Sequence, residues 1–286
     1  MSIKLPLFCH DGCPDTYAET LLPAFVMGIV NVTPDSFWEG SRVSSSHGAE
    51  KALRMIEEGA DIVDIGGESS RPGAEYVEEQ EEIRRIIPVI EEIRRYSQCP
   101  ISVDTRKKRV LKAAHEAGAD ILNDISALED DSEIGVYVAQ ENMPVILMHK
   151  RGIPKTMQEY TDYENPFKQV NDYLQARVEY ALSLGIKQDR IIIDPGIGFG
   201  KDFETNRILI TQCGALCNGN YPVLMALSRK TCIGTMTGKD EAGRLAGTLA
   251  ANLIAVQAGA RLLRVHDVAE TKDLLKVMEK LQWHMH

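Results

Sequence analysis

Eight short apolar runs, each separated from the next by a longer stretch with helical periodicity, set the strongest limit on how this chain folds. The runs are Phe25–Val30, Ile62–Ile65, Ile101–Val103, Ile121–Leu122, Val145–Met148, Ile191–Ile193, Val223–Leu227 and Leu262–Val265. Short runs dense in Val, Ile and Leu suit strands buried on both faces of a parallel sheet. Between them lie helical patterns such as Glu78–Tyr96, Lys107–Ala117, Pro166–Leu184 and Glu241–Ala258. Eight near-equal strand–helix units predict an α/β fold of the (β/α)8 TIM-barrel type rather than a doubly wound open sheet. At 286 residues the chain has room for one such barrel of roughly 250 residues. Residues 1–23 read as a short, irregular N-terminal extension and residues 24–286 as a single barrel domain.

A local repeat supports the reading. Glu58-Gly59-Ala60-Asp61-Ile62-Val63-Asp64 resembles Ala117-Gly118-Ala119-Asp120-Ile121-Leu122-Asn123, and both resemble Ala258-Gly259-Ala260-Arg261-Leu262-Leu263-Arg264. In each, Gly suits the left-handed position that ends a helix, and the apolar residues after it begin a strand. Five residues after the Gly comes a polar side chain, Asp64, Asn123 or Arg264.

The net charge of −10 argues against a nucleic-acid partner, since phosphate neutralisation needs a basic face. It leaves room for a small anionic substrate held by a local cluster of cations. No apolar run reaches the ~18–20 residues of a membrane span, and residues 1–14 lack signal-peptide features, so a cytoplasmic protein is expected. The six cysteines are then expected to be reduced. Cys213 and Cys217 share a face if their stretch is helical, but nothing completes zinc-type spacing, so both read as buried apolar residues.

In a barrel the chemistry sits at the C-terminal strand ends. Those ends carry Asn31, Gly66-Gly67-Glu68, Asp104-Thr105, Asn123-Asp124, Met148-His149, Asp194, Ser228-Arg229-Lys230, and Arg264 with His266-Asp267. Thr105, Asp124 and Asp267 directly precede helices and fit capping roles. His149, Lys150 and Arg151 read as a solvated loop cluster. The remaining groups converge too closely to serve stability alone, because burying each unpaired costs several kcal/mol. Asp104, Asn123 and Asp194 suit a flat heterocycle bearing amino, ring N–H and carbonyl groups. Lys230 and Arg264 fall in the sector where barrels often hold phosphate, with Ser228 and His266 as further donors. Arg71 belongs to a Gly-, Pro- and Ser-rich loop placed to close over the mouth. Gly196-Ile197-Gly198-Phe199-Gly200-Lys201-Asp202 fails as a P-loop, with Asp202 where Ser or Thr should meet magnesium.

These strand-end motifs resemble those of the dihydropteroate synthases. Met27-Gly28-Ile29-Val30-Asn31-Val32-Thr33-Pro34-Asp35-Ser36-Phe37 is similar to the first signature of that family. Asp64-Ile65-Gly66-Gly67-Glu68-Ser69-Ser70-Arg71-Pro72-Gly73 is similar to the second. Further matches follow in order at Ser102–Thr105, Asn123–Ile125, Met148-His149, Asp194–Lys201, Ser228–Lys230 and Arg264–Asp267. The resemblance implies a transferase that joins p-aminobenzoate to 6-hydroxymethyl-7,8-dihydropterin diphosphate. It implies pterin contacts from Asp104, Asn123, Asp194 and Lys230, with Met148 packing on the ring. It implies diphosphate contacts from Arg264, His266 and Asn31, with Mg2+ at Asn31. Phe37, Ser70, Arg71, Phe199 and Ser228 are implied for the p-aminobenzoate pocket, and the assembly implied is a homodimer. The departures from the family pattern are Trp38-Glu39, Ser70, Lys150 and Thr231-Cys232. They leave the implied pterin and diphosphate residues untouched.

Two other functions share parts of this set. A methyltetrahydrofolate-dependent corrinoid methyltransferase would share the pterin contacts but would not need Lys230, Arg264 and His266 for a diphosphate. A non-catalytic pterin-binding paralogue would bind without forming product.

Overall fold

The computed structural model of the chain describes residues 3–6, 17–20, 22–32, 41–69, 73–152 and 161–281. Phe37, Ser70 and Arg71 of the expected site lie outside them, as do Cys9, Cys13 and Trp38-Glu39. A parallel sheet runs through β3 (Phe25–Asn31), β4 (Ile62–Gly66), β5 (Ile101–Asp104), β6 (Ile121–Asp124), β7 (Val145–Met148), β8 (Ile191–Asp194), β9 (Leu224–Met225) and β10 (Leu262–Val265). Its order is β8-β7-β6-β5-β4-β3-β10-β9. A parallel bridge between Ile193 and Val223 joins the two edges and closes the barrel. Helices alternate with these strands: α1 (Ser41–Glu57), α2 (Glu79–Tyr96), α3 (Lys108–Glu116), α4 (Ile134–Gln140), α5 (Pro166–Ser183), α6 (Phe203–Thr211), α7 (Thr231–Thr237), α8 (Leu245–Gln257) and α9 (Val268–Lys280). The expected single (β/α)8 barrel is therefore the fold.

Strand alternation divides the core in two. Phe25, Met27, Ile62, Ile121, Ile146, Ile192, Leu224, Ala226 and Leu262 form an inner cluster. The residues between them, including Val26, Val63, Val103, Leu122 and Ile193, pack outward with the helices. An inner plug of side chains makes the barrel a packed core rather than a pore.

Several expectations are corrected. The N-terminal region is not wholly irregular, because β1 (Ile3–Pro6) and β2 (Tyr17–Thr20) pair antiparallel. Segments of four residues are too short for their periodicity to be decisive. The seventh barrel strand keeps only two of its five expected residues, and Arg229 adopts a positive φ of 57° just beyond it. The Glu241–Ala258 pattern divides into a 3-10 turn, Ala242–Arg244, followed by α8. Cys213 and Cys217 do not share a helical face, since Cys217 and Asn218 are left-handed at φ 47° and 58°. Both thiols are nevertheless buried and free, as the apolar reading expects.

The repeated helix–strand junction has the expected positive φ at Gly59 (98°), Gly118 (112°) and Gly259 (111°). The surroundings differ. A Cβ at Gly259 would lie 2.7 Å from the backbone of Gly214, whereas at Gly59 the nearest atom is Lys272 Cγ at 3.6 Å. A non-glycine residue at positive φ costs roughly 1–2 kcal/mol, and overpacking adds about 1–3 kcal/mol. Urea denaturation should thus show Gly259→Ala losing about 2–5 kcal/mol and Gly59→Ala only about 1–2 kcal/mol. Equal losses would show that backbone crowding at Gly259 is relieved by local movement.

Candidate active site

The strand alternation that fills the lower barrel with apolar side chains places polar ones at its mouth. They line a cavity of about 730 Å3 at the C-terminal strand ends, within the usual size of small-molecule sites. Asn31, Asp104, Asn123, Met148, Asp194, Phe199, Ser228, Lys230, Arg264 and His266 all line it. Ile29, Ile125, Ile197 and Ala226 add apolar wall.

Arg264 on β10 is an ion-pair centre. Its Nε donates to Asp64 Oδ2 at 2.6 Å, and one terminal nitrogen donates to Asp104 Oδ2 at 2.8 Å. Burial opposes the guanidinium charge, but Asp64 and Asp104 outweigh it and raise the Arg264 pKa above its usual value. Burial also pushes Asp104 up to about 7, with Arg264 pulling against the shift. Asn123 on β6 donates from Nδ2 to the same Asp64 oxygen at 3.2 Å.

The opposite wall is built by the Asp194–Lys201 loop. Asp194 Oδ1 accepts from the Gly196 amide at 2.7 Å. Burial raises the Asp194 pKa, and Lys230 is the strongest opposing influence. Gly196 sits at φ 66°, and a Cβ there would fall 1.9 Å from the His149 carbonyl oxygen. Only Gly lets the loop approach the end of β7 this closely. Lys230 Nζ donates to the Ile197 carbonyl at 2.6 Å and stands 4.9 Å from the Phe199 ring centroid. Burial brings its pKa down to about 8, against the pull of Asp194. Ser228 Oγ accepts from the His266 amide at 3.1 Å and lies 3.0 Å from its ring Nδ1.

The solvated-cluster expectation for residues 149–151 is overturned. His149 is buried, edge-on to Tyr173 at 4.8 Å, and 2.9 Å from the equally buried Lys201 Nζ. Burial and Lys201 drive its pKa down to about 2, so the imidazole is neutral. Lys150 pairs with Asp130 at 3.0 Å, and Arg151 stacks on Tyr163. The capping expectations also change. Asp124 holds a turn through Ser126 and Leu128, and Asp267 pairs with Arg229 instead of capping α9. Thr105 does accept from the Lys107 amide, at 3.4 Å, one residue before α3.

Asp64 and Lys201 were not among the expected site residues. The repeated junction did place Asp64 in register with Asn123 and Arg264, a signal for its position. Arg244, Glu241 and Thr235 reach the cavity from the α7–α8 region, and nothing in their local sequence marks them. Among the described residues no group of three His, Cys, Asp or Glu could hold a metal ion.

The comparisons agree with this architecture. The pterin binding enzyme family matches residues 27–266. A dihydropteroate synthase of Haemophilus influenzae is 46% identical over 96% of this chain and 98% of its own length. The structure of Xanthomonas albilineans dihydropteroate synthase with 4-aminobenzoic acid superposes with a TM-score of 0.89 at 43% identity, covering 99% of both chains. The Xanthomonas albilineans enzyme in complex with 7,8-dihydropteroate gives 0.85 at 41% identity, covering 98% of this chain and 99% of that one. With fold, strand-end residues and relatives in agreement over nearly its whole length, this chain belongs to the dihydropteroate synthase family of pterin-binding enzymes.

Proposed function

We infer that the chain condenses p-aminobenzoate with 6-hydroxymethyl-7,8-dihydropterin diphosphate, giving 7,8-dihydropteroate and pyrophosphate for folate biosynthesis. The observation that carries this reading is the meeting of two unlike sets at one mouth. Asp104, Asn123 and Asp194 supply the acceptors and amide for a pterin edge, and Lys230, Arg264 and His266 supply donors beside them. Met148 and the apolar wall pack on the ring faces. Phe199 and Ser228 border the amine pocket.

Pyrophosphate departure leaves a carbocation conjugated with the pterin. Arg264 and His266 stabilise the leaving charge, and the Asp194 carboxylate stabilises the positive charge developing on the ring. Two of the Arg264 nitrogens are already held by carboxylates, which fixes its orientation before substrate arrives. The aromatic amine is neutral at pH 7 and needs positioning more than deprotonation.

The donors present fit Mg2+ in one way. A protein cage is absent among the described residues, but Mg2+ commonly takes one or two protein ligands and completes its shell with water and substrate phosphate. Asn31, at the end of β3 and lining the cavity, would supply the amide oxygen. Bound there, the ion would neutralise diphosphate charge.

We also propose a cytoplasmic homodimer formed through the C-terminal helices. Met236, Ile254 and Val277 on α7, α8 and α9 are large apolar side chains left exposed. Light scattering should then give twice the chain mass. Among the described residues, no helix is long and apolar enough to cross a membrane.

The decisive assay supplies dihydropterin diphosphate and magnesium with and without p-aminobenzoate, and follows dihydropteroate by chromatography. Product that depends on p-aminobenzoate establishes the activity. Tight pterin binding without product would sink it and leave a binding protein. The pH profile gives a second check. Below about 7 Asp104 takes up a proton, and above about 8 Lys230 loses one. kcat/KM should therefore be bell-shaped, falling on both sides of this narrow window. An acid limb that stays flat down to about pH 5.5 would show that Arg264 keeps Asp104 ionised there.

A further inference from the structure

We propose that Asp64 is a positioning residue that sets the donor–acceptor polarity of the pterin site by holding Asn123 with its amide nitrogen inward and its carbonyl oxygen toward the cavity. This rests on the assignment of Asn123 as a pterin contact.

Asp64 lies in the middle of β4, has no solvent exposure and does not line the cavity. One of its oxygens, Oδ2, accepts from Asn123 Nδ2 at 3.2 Å and from Arg264 Nε at 2.6 Å. In the sheet order, β6 and β10 each lie two strands from β4, on opposite sides. Asp64 therefore ties together two sectors of the barrel mouth that have no direct ladder between them.

The chemistry of the pair fixes an orientation. An ionised carboxylate only accepts hydrogen bonds, and an amide has one accepting end and one donating end. Turning the Asn123 amide over would set its carbonyl oxygen against a buried carboxylate oxygen and forfeit a charge-assisted bond. The nitrogen is thus committed to Asp64, and Asn123 meets the cavity with its oxygen. Asp104 and Asp194 line the same cavity with carboxylates. All three then favour a ligand edge rich in N–H groups, as the amino group and ring nitrogens of a pterin provide. Lys230 supplies the complementary donor for a ring carbonyl. Asp64 acts on selection without touching the ligand.

Calorimetry with 6-hydroxymethyl-7,8-dihydropterin diphosphate and magnesium tests this. Asp64→Asn, close to isosteric, should raise the Kd by about 10- to 100-fold while the KM for p-aminobenzoate stays within about twofold. Asn123→Asp keeps an outward oxygen but loses the inward donor, and a comparable loss is expected. The double variant D64N/N123D breaks the same Asp64–Asn123 bond as each single variant, because the atom of residue 64 at that place must still accept from Arg264 Nε. Its loss should fall at least about fivefold short of the product of the two single losses, a non-additivity that independent structural damage does not produce. Wild-type affinity in Asn123→Asp overturns the proposal, even if Asp64→Asn proves too unstable to purify. Strictly additive losses overturn it as well. Asn123→Ala separates the two levels of the argument. If it binds like wild type, the assignment of Asn123 fails and the proposal with it. If it loses binding while Asn123→Asp does not, only the role of Asp64 fails.

Discussion

Lys230→Ala is expected to lower kcat/KM for dihydropteroate formation by about 10²–10³ while leaving the fold intact. Lys230 stands between the two halves of the proposed chemistry. Its ammonium anchors the Asp194–Lys201 loop through the Ile197 carbonyl, faces Phe199 and is the strongest electrostatic counterweight to Asp194. Truncation removes a charged donor from the proposed pterin edge, and Asp194 then loses support for its ionised form. Its pKa, already raised by burial, rises further. A protonated Asp194 cannot stabilise positive charge on the pterin, so the loss should fall on kcat as well as on KM. Steady-state kinetics with each substrate varied in turn checks this, with a thermal melt to confirm folding. The alkaline limb of the pH profile, assigned to Lys230, should disappear in the variant. If kcat/KM stays within about tenfold of wild type, Lys230 is only a loop anchor.

The barrel was legible because its strands are doubly buried. A side chain such as Ile193 or Val63 has no solvated face to interrupt the apolar run, so length and composition alone mark the strand. The same burial hides the true limits of β9. Val223–Leu227 is as apolar as any other run, but ladder pairing covers only Leu224-Met225. The N-terminal ribbon leaves no mark in the sequence, because four-residue strands carry too little pattern. Position along the strand was legible too, which is why Asp104, Asn123, Asp194, Lys230 and Arg264 were expected at one mouth and are found there. Pairing was not legible. Nothing in the sequence says that Arg264 spends two nitrogens on Asp64 and Asp104, or that His149 is buried against Lys201. Such contacts join residues far apart in sequence, 200 positions for Arg264 and Asp64. Barrel closure creates them, and local pattern does not encode them.

The largest loss of stability is expected from Lys107→Met. Lys107 follows β5 and is almost fully buried between two carboxylates. Its ammonium donates to Glu68 after β4, to Glu82 on α2 at 2.6 Å and to the Val77 carbonyl at 2.6 Å. Glu68 is shared further with Arg106, which reaches Asp130. The network therefore ties the ends of β4 and β5 to the turn beyond β6. Burial works against the Lys107 charge, but Glu68 and Glu82 outweigh it and raise its pKa. Burial also raises Glu82 despite Lys107, while Glu68, held by Lys107 and Arg106, ends below its usual value. Methionine fills similar volume but removes the cation, leaving two buried carboxylates facing each other. Breaking one partner out of a buried ion pair costs about 3–5 kcal/mol, and a similar loss is expected here near neutral pH. The sign of the pH dependence is the sharper check. Without Lys107, Glu82 loses its main counterweight and is pushed further above its unfolded value, while Glu68 keeps Arg106, so the folded variant binds more protons at Glu82 than the unfolded chain in the weakly acidic range. Its stability should rise as pH falls from about 7.5 to about 5, narrowing the gap to wild type. Urea denaturation at the two pH values measures this directly. A gap that is constant or widens toward acid would mean that lost packing around Lys107, and not the uncompensated charge of Glu68 and Glu82, destabilises the variant.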